Sequence, residues 1–251
     1  MRGSVNADQQ DTEYTWRTPG NLAGRLEVPV DGAWERLYAG PKRRAMLDRS
    51  FSSANVIAGA AIGLVGPLLS GKSQIALALA DLRNLRAVYA TDQTDQQAFT
   101  PAPGLCVIID PVSAYDPRDV AACVEFYRAT SPVLLIDRNL EAITQIPGVA
   151  QIIKLKLPSA AAISAYVQEL LDGASTQRSY QHTLTAYDFE QIGQAMEGLS
   201  LPQVNQITLD AALSRLMDGQ PIDRRAFDSA LAAYMTIRQS ANEAAYAGGR
   251  R

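Results

Sequence analysis

Short apolar runs alternate with amphipathic stretches through the middle of the chain. The runs are continuously apolar, which is typical of parallel strands buried on both faces. They are Ala61–Val65, Ala87–Thr91, Leu105–Asp110, Val133–Asp137 and Ile152–Leu157. Helical patterns lie among them at Pro41–Phe51, Lys72–Arg83 and Pro117–Thr130. This order predicts an α/β core with a doubly wound, parallel, five-stranded sheet.

After residue 158 the pattern is helical throughout. An Ala-rich helix is predicted at Ser159–Leu171, and a second one opens at Thr185 and closes at Gly198. Two more are predicted over Pro202–Met217 and Asp223–Arg238. The sequence therefore predicts four segments, namely an irregular N-terminal arm (1–40), the α/β core (41–158), a small all-helical lid (159–240) and a flexible tail (241–251).

Composition narrows the class of protein. A chain of 251 residues that is 47% hydrophobic can fill a core, which excludes global disorder. Its 23 Lys and Arg against 26 Asp and Glu give a net charge of −3, which argues against a generally basic nucleic-acid-coating protein. A local patch remains open, and the basic cluster Lys42–Arg44 is the visible candidate for contact with DNA or an acidic partner.

Cysteine, histidine and hydropathy exclude further classes. Cys106 and Cys123 are too few for a disulfide framework, and His182 is the single histidine, so His-based metal sites are improbable. The N-terminal residues lack the apolar core of a secretion signal. The longest apolar-looking run, 56–69, is interrupted by Gly and Pro and is shorter than the roughly 20 residues of a membrane span. We therefore expect a cytoplasmic protein without a membrane partner.

One motif dominates the chemistry. Residues Gly66–Ser73 fit the pattern Gly-x-x-x-x-Gly-Lys-Ser/Thr without a mismatch, between a predicted strand and a predicted helix. Its glycines let backbone N–H groups curl around a phosphate at a helix N-terminus, Lys72 adds a full positive charge, and Ser73 offers a hydroxyl to Mg²⁺. The predicted nucleotide-binding residues are Gly66, Pro67, Leu68, Leu69, Ser70, Gly71, Lys72, Ser73 and Gln74.

A phosphate loop of this kind needs an acidic partner for magnesium on a nearby strand end. Two apolar runs end in aspartate, at Asp110 and at Asp137. If Asp110 is the acid, two later strands remain to complete a five-stranded sheet. If Asp137 is the acid, too few strands remain before the helical segment. We therefore predict Ser73 and Asp110 as the metal ligands, with Asp137 as the alternative.

The phosphate loop, the order of strands and the helical segment after them resemble the AAA+ ATPases over about residues 41–240. The segment Lys156–Pro158 looks like the family's crossing into its lid, and Glu197–Val204 like the turn in the middle of the lid. The resemblance implies ATP or ADP with Mg²⁺ as ligands and a homo- or hetero-oligomer. It also implies a polar sensor after the strand that ends at Asp137, where Asn139 is the candidate and Arg138 could reach a phosphate. Asp110 and Asn139 are thus the predicted catalytic residues.

Departures from the family pattern point to weak catalysis. The glutamate that usually follows the acidic-strand aspartate is replaced by Pro111, and residues 145–151, where an arginine finger is usual, contain no arginine. An arginine finger raises the rate of phosphoryl transfer by roughly 10³–10⁵, and a general base raises it by roughly 10²–10⁴. Binding of the phosphates depends instead on the loop, which is retained. The sequence predicts a nucleotide-dependent switch or loader that acts on a protein or on DNA, with slow or partner-stimulated hydrolysis. The alternative is a non-catalytic ATP-bound subunit of a hetero-oligomer; a small-molecule kinase ranks below both.

Overall fold

The structure, a computed structural model, describes residues 24–37, 39, 41–52, 61–91, 104–177 and 181–248. The predicted arm up to residue 23 and the end of the predicted tail lie outside these ranges. Strands are β1 (Gly24–Val28), β2 (Ala61–Val65), β3 (Arg86–Thr91), β4 (Leu105–Ile109), β5 (Val133–Asp137) and β6 (Val149–Lys154). Helices are α1 (Ala33–Arg36), α2 (Pro41–Ser52), α3 (Lys72–Leu82), α4 (Pro117–Tyr127), α5 (Leu140–Thr144), α6 (Ala160–Gln177), α7 (Ala186–Ala195), α8 (Leu201–Met217) and α9 (Arg224–Gly248).

The strands form a mixed sheet in the order β1-β3-β4-β5-β2-β6. Neighbours from β3 to β2 are parallel, which confirms the doubly wound α/β core. The chain leaves β2 to build one side of the sheet and returns to place β6 on the other side. Strand β2 therefore lies at a switch in strand order, the place where open α/β sheets bind ligands at the carboxyl ends of their strands.

The prediction of an arm without regular structure is wrong for residues 24–28, which form β1 as a sixth, antiparallel strand on β3. In β1 the charged Arg25 and Glu27 alternate with apolar residues, and Leu26 is exposed. Such an edge strand is specified mainly by the free backbone of its neighbour rather than by its own hydrophobicity. After β1, the backbone N–H of Trp34 in α1 donates to the Asp81 carboxylate of α3 at 2.9 Å.

Both faces of the sheet are buried. Residues at alternate positions of β2, β4 and β5, among them Ala61, Ile109 and Leu135, pack with α4 and α5 in one apolar cluster. The residues between them, such as Ile62 and Ile108, point to the opposite face and are equally buried, so that face is covered too. Burial on both faces explains why these strands appear as uninterrupted apolar runs. Cys106 and Cys123 belong to this interior, and burial raises the pKa of each thiol to about 12.

The chain divides into two compact units. The first contains the residues up to Val65 and Ser73–Ile153, and the second contains Gly66–Lys72 and the chain from Lys154 onward. In the second unit, α6 to α9 enclose their own apolar core, with Ile163, Phe189 and Phe227 in it. On α7, Gly193 lies against the carbonyl oxygen of Ala160 with no room for a Cβ, which lets two helices approach closely.

Local signals set most helix boundaries. The predicted start of α7 is confirmed, because Thr185 accepts from the backbone N–H of Asp188 while Asp188 accepts from Thr185. The last helix extends further than predicted, to Gly248, so the segment predicted as a flexible tail from residue 241 is helical up to that residue. The sixth strand ends at Lys154, earlier than predicted, and Leu155 is buried beyond it.

Candidate functional site

The phosphate loop begins where β2 ends and runs directly into α3. In the sheet, Val65 is the partner of Asp137, so the loop emerges beside the carboxyl end of β5. Gly71 has φ 83° and Leu69 has φ 59°, the left-handed backbone that curls the loop. Because glycine adopts this conformation readily, the second glycine of the motif is explained by the turn itself.

The first glycine of the motif is required by space. A Cβ on Gly66 would lie 2.7 Å from the carbonyl oxygen of Leu155 and 3.0 Å from the Ser70 Oγ. A backbone oxygen cannot move aside as the end of a side chain can. Any larger residue at this position would therefore displace the loop from the chain segment that follows β6.

Lys72 and Ser70 supply polar groups suited to a phosphate. Lys72 is only 8% exposed, and its Nζ donates to the carbonyl oxygens of Gly66 at 2.8 Å and Pro67 at 2.6 Å. The ammonium is thereby held over the loop, folded back on its own backbone. The Ser70 Oγ is buried and has no hydrogen-bond partner among the described residues. An orphaned hydroxyl beside a buried ammonium and a curled backbone fits an anion with several acceptor oxygens.

At the start of α3 the predicted metal ligands meet. The Ser73 Oγ donates to the Asp110 Oδ2 at 2.6 Å. Ser73 is placed by the first turn of α3, and Asp110 directly follows β4. The structure thus brings together the hydroxyl and the carboxylate that the sequence assigned to Mg²⁺. Both are oxygen ligands, which Mg²⁺ prefers, and a site with few protein ligands leaves room for phosphate oxygens and water.

Tyr89 of β3 joins this pair and was missed by the sequence reasoning. Its half-buried phenol lies near Ser73 and in the field of Asp110. Burial first, and then the charge of Asp110, raise the pKa of Tyr89 to about 12. The sequence carried only a weak signal, a hydroxyl-bearing aromatic among the small and apolar residues of a buried strand.

Asp137, the alternative metal ligand, has different surroundings. It is 3% exposed, and its carboxylate accepts from the backbone N–H groups of Ser113 at 2.7 Å and Asn139 at 2.8 Å. Burial alone would raise the pKa of Asp137, but these donors, with that of Arg138, hold it below its usual value. The acid is therefore ionised and bound to backbone, whereas Ser73 contacts Asp110.

Asn139, the predicted sensor, has a structural role in the helix that follows it. The Asn139 Oδ1 accepts from the backbone N–H of Glu141 at 2.9 Å and so caps the N-terminus of α5. Arg138 beside it is exposed. Pro111 is exposed immediately after Asp110, in the position where the family pattern has its glutamate. The structure brings Asn139 to Asp137 and α5, and it does not by itself give Asn139 a catalytic contact.

The remaining predicted binding residues complete the loop. Pro67, Leu68, Leu69 and Gln74 are exposed, and Leu68 is 56% exposed although it is apolar. In a phosphate loop such positions contribute backbone N–H groups rather than side chains.

The basic cluster is only partly available to a partner. Arg44 donates to the carbonyl oxygen of Leu37 at 2.6 Å and lies over the ring of Trp34, with its guanidinium carbon 5.4 Å from the ring centre. Burial lowers the pKa of the half-buried Arg43. Lys42 and Arg49 are exposed on α2. The basic surface of this helix is therefore Lys42 and Arg49 rather than the consecutive triplet.

Solved structures of AAA domains match the chain over most of its length. The FIGL-1 AAA domain aligns with a TM-score of 0.54 at 16% identity, covering 86% of this chain and 91% of that one. A katanin structure on self-assembly aligns with a TM-score of 0.56 at 13% identity, covering 92% of each chain. PCH-2 of C. elegans aligns with a TM-score of 0.53 at 14% identity, covering 86% of this chain and 75% of that one.

The fold is that of an AAA domain. At these identities the likeness is one of fold, and it confirms at that level the resemblance inferred from the phosphate loop and strand order. No family model and no curated protein matches the sequence. Within the part of this AAA fold that the structure describes, no helix is both long enough and apolar enough to cross a membrane.

Proposed function

We propose that this protein binds ATP with Mg²⁺ and acts as a nucleotide-dependent AAA+ switch or loader with slow or partner-stimulated hydrolysis. The observation that carries the proposal is the 2.6 Å hydrogen bond between Ser73 and Asp110, next to a loop whose Lys72 and Ser70 suit a phosphate. A related fold is known with nucleotide, since the FIGL-1 AAA domain has been solved in complex with ADP. Bound Mg²⁺ would neutralise charge on the β and γ phosphates.

The residues divide the work of binding. The loop backbone from Gly66 to Gly71 would cradle the phosphates, and Lys72 would leave its loop carbonyls to pair with them. Ser73 and Asp110 would hold the metal ion. These steps require no general base, so they are compatible with proline at position 111.

Nucleotide binding is tested with Lys72→Ala. The variant removes the only side-chain charge of the loop, so we expect loss of ATP binding by at least about 100-fold, measured by calorimetry on the full chain. Lys156→Ala, which removes an exposed lysine beyond β6, is the matched control and should bind as the wild type does. Equal binding by wild type and Lys72→Ala contradicts the proposed site.

Slow hydrolysis is tested with Pro111→Glu. If the missing acid limits turnover, restoring it should raise the rate of ATP hydrolysis by about 10²–10⁴. Ala114→Glu, which adds the same charge to an exposed position three residues later, should not. Should both variants remain as slow as the wild type, the proline is not the limiting defect. Fast unstimulated turnover by the wild type contradicts the proposal of slow hydrolysis.

A non-catalytic ATP-bound subunit of a hetero-oligomer is the second candidate. It is favoured by Pro111 and by Asn139, whose carboxamide oxygen caps α5. A subunit of this kind would keep ATP as a fixed element while another chain supplies the catalytic residues. Native mass spectrometry separates the two: a homo-oligomer that depends on nucleotide supports the switch, and stable incorporation beside an active related subunit supports the second candidate.

The target is proposed as a protein, with DNA as an alternative through the exposed pair Lys42 and Arg49. Reversing both charges, as Lys42→Glu with Arg49→Glu, should abolish any DNA binding and flatten its dependence on salt. Binding of DNA that survives the double change would place the contact elsewhere on the protein.

A further inference from the structure

Strand β1 ends the sheet on one side and has one neighbour among the strands that the structure describes. Its residues pair with β3 in an antiparallel register, from Gly24 opposite Thr91 to Val28 opposite Ala87. β1 stands last in the sheet order, so within the described ranges no strand pairs with its outer edge. That edge presents the backbone N–H and C=O groups of alternate residues, to which a further strand can be added.

Pairing of β1 with β1 of a second copy admits few registers. In a continuous sheet, a twofold axis stands perpendicular to the sheet and makes the two strands antiparallel. Residues directly opposite one another lie on the same face, whereas successive residues of one strand alternate between faces. The axis must therefore pass through a residue rather than between two residues. In the middle of β1 that residue is Arg25, Leu26 or Glu27.

The register centred on Leu26 is the one that brings opposite charges together. Centred on Arg25 or on Glu27, the pairing places a charged residue against its own copy, and like charges directly opposite destabilise a sheet. Centred on Leu26, it places Arg25 opposite Glu27 of the second copy, twice by symmetry. Leu26, which is 58% exposed, then stands opposite its own copy and gains an apolar neighbour. The strand is thus complementary to itself in charge and in hydrophobicity.

We propose that β1 is a self-association surface, through which two copies of this chain join their sheets by antiparallel pairing centred on Leu26. The pairing uses the outer edge of β1 in both copies, so the assembly closes at two. Pro29, directly after β1, has no N–H group to donate and confines the pairing to the strand. No residue of the nucleotide site takes part, so the pairing is independent of the proposed function.

The existing contact of Glu27 is compatible with this pairing. The Glu27 carboxylate lies 3.5 Å from the guanidinium of Arg86 on β3, and both side chains are about half exposed. A carboxylate has several acceptor positions. Glu27 can therefore accept from Arg86 of its own chain and from Arg25 of the second copy together.

The test is sedimentation equilibrium of the full chain without nucleotide, which leaves out any assembly that ATP drives. Wild type should show a reversible equilibrium between monomer and dimer. Arg25→Glu and Glu27→Arg each place like charges opposite one another at both symmetric positions. Each should weaken dimerisation by about tenfold or more, because two attractive pairs become repulsive. Glu190→Arg makes the same change of charge at an exposed position on α7, and this matched control should dimerise as the wild type does.

Two rescue experiments distinguish pairing of charges from damage to the strand. The double variant, Arg25→Glu with Glu27→Arg, exchanges the two charges and restores opposite charges in the same register. It should regain dimerisation. An equimolar mixture of the two single variants should form heterodimers although neither variant associates well with itself, because each strand then meets the charge that it lacks.

The remaining outcomes contradict the proposal. A wild type that stays monomeric at the highest concentration reached shows that β1 does not associate. Single variants that dimerise as well as the wild type place the contact on another surface. If the single variants fail to associate and neither rescue recovers, the loss comes from a disturbed strand and the proposed charge pairing is wrong. ATP binding by the phosphate loop stands or falls separately, since a nucleotide titration measures it.

Discussion

Two neighbouring strands, β4 and β5, are each followed or ended by an aspartate, and the two carboxylates have opposite surroundings. Asp110 after β4 accepts from the hydroxyl of Ser73. Asp137 at the end of β5 accepts from the backbone N–H groups of Ser113 and Asn139. The Ser73 hydroxyl can rotate away, which would free the Asp110 carboxylate to bind a cation. The backbone donors that hold Asp137 belong to an ordered turn and cannot move in this way. The same sequence pattern therefore places one carboxylate against a rotatable hydroxyl and the other against backbone donors.

The largest effect in this comparison is expected at Asp110. Asp110→Asn keeps an oxygen that can accept from Ser73 but removes the charge that attracts Mg²⁺. The Mg²⁺-dependent part of ATP affinity should fall by about 10- to 100-fold, while the free energy of unfolding changes little. Calorimetric titration of ATP with and without Mg²⁺, beside urea unfolding, measures both. If Asp110→Asn keeps the full wild-type gain in ATP affinity with Mg²⁺, the assignment of Asp110 as a metal ligand is wrong.

The converse result is expected at Asp137. Asp137→Asn weakens two hydrogen bonds from backbone N–H groups to a buried charge and places an amide against those donors. We expect the free energy of unfolding to fall by about 1.5–3 kcal/mol, with the Mg²⁺ response unchanged. Glu141→Gln, an exposed carboxylate on α5, is the matched control and should unfold as the wild type does. Loss of the Mg²⁺ response without loss of stability would exchange the roles of the two acids.

Acid unfolding gives a smaller test of the same contrast. The pKa of Asp137 is held below its usual value in the folded protein, since backbone N–H donors outweigh burial. Its contribution is therefore present above the unfolded pKa of about 3.9 and is lost as the pH falls through the folded value. Wild type should lose more stability than Asp137→Asn between neutral pH and about pH 2. Parallel pH profiles from urea unfolding would contradict this.

The smallest expected effect concerns the cap of α5. Asn139→Ala should cost about 1 kcal/mol of stability, because the backbone N–H of Glu141 loses its acceptor. Asn139→Ser keeps an oxygen that can cap the helix and removes the amide that a sensor would use. If Asn139 acts only as a cap, the serine variant should hydrolyse ATP at the wild-type rate. A slower rate for the serine variant at unchanged stability would support the predicted sensor role instead.

Much of the core was predictable because its signals are local or repeated. The extents of β2 and β5 agree with their apolar runs, since burial on both faces requires apolar residues at every position. The capping residues at Thr185 and Ser200 mark the starts of α7 and α8 for a similar reason, because the bonds lie within one turn. The turn before α8 also explains Gln203, whose side chain accepts from the backbone N–H of Ser200.

Features that depend on a neighbour were not predictable. β1 alternates charged and apolar residues and becomes a strand only because β3 offers it a free edge. β6 ends before Leu155, which is buried beyond the strand and lies against Gly66, so the apolar run continues past the end of the strand. The basic triplet suggested one surface, but Arg44 donates to backbone carbonyls on the segment before α2.

The sequence by itself determined the phosphate loop, the α/β order of the core and the helical segment that follows. Those features rest on spacing along the chain, which the backbone converts directly into a turn, a strand or a helix. Only the tertiary structure decided that Ser73 meets Asp110, which strand counting had favoured over Asp137, and that Tyr89 lies near them. The physical reason is that a hydrogen bond between residues far apart in sequence depends on strand order and register. Neither strand order nor register can be read from the sequence immediately around the residues that make the bond.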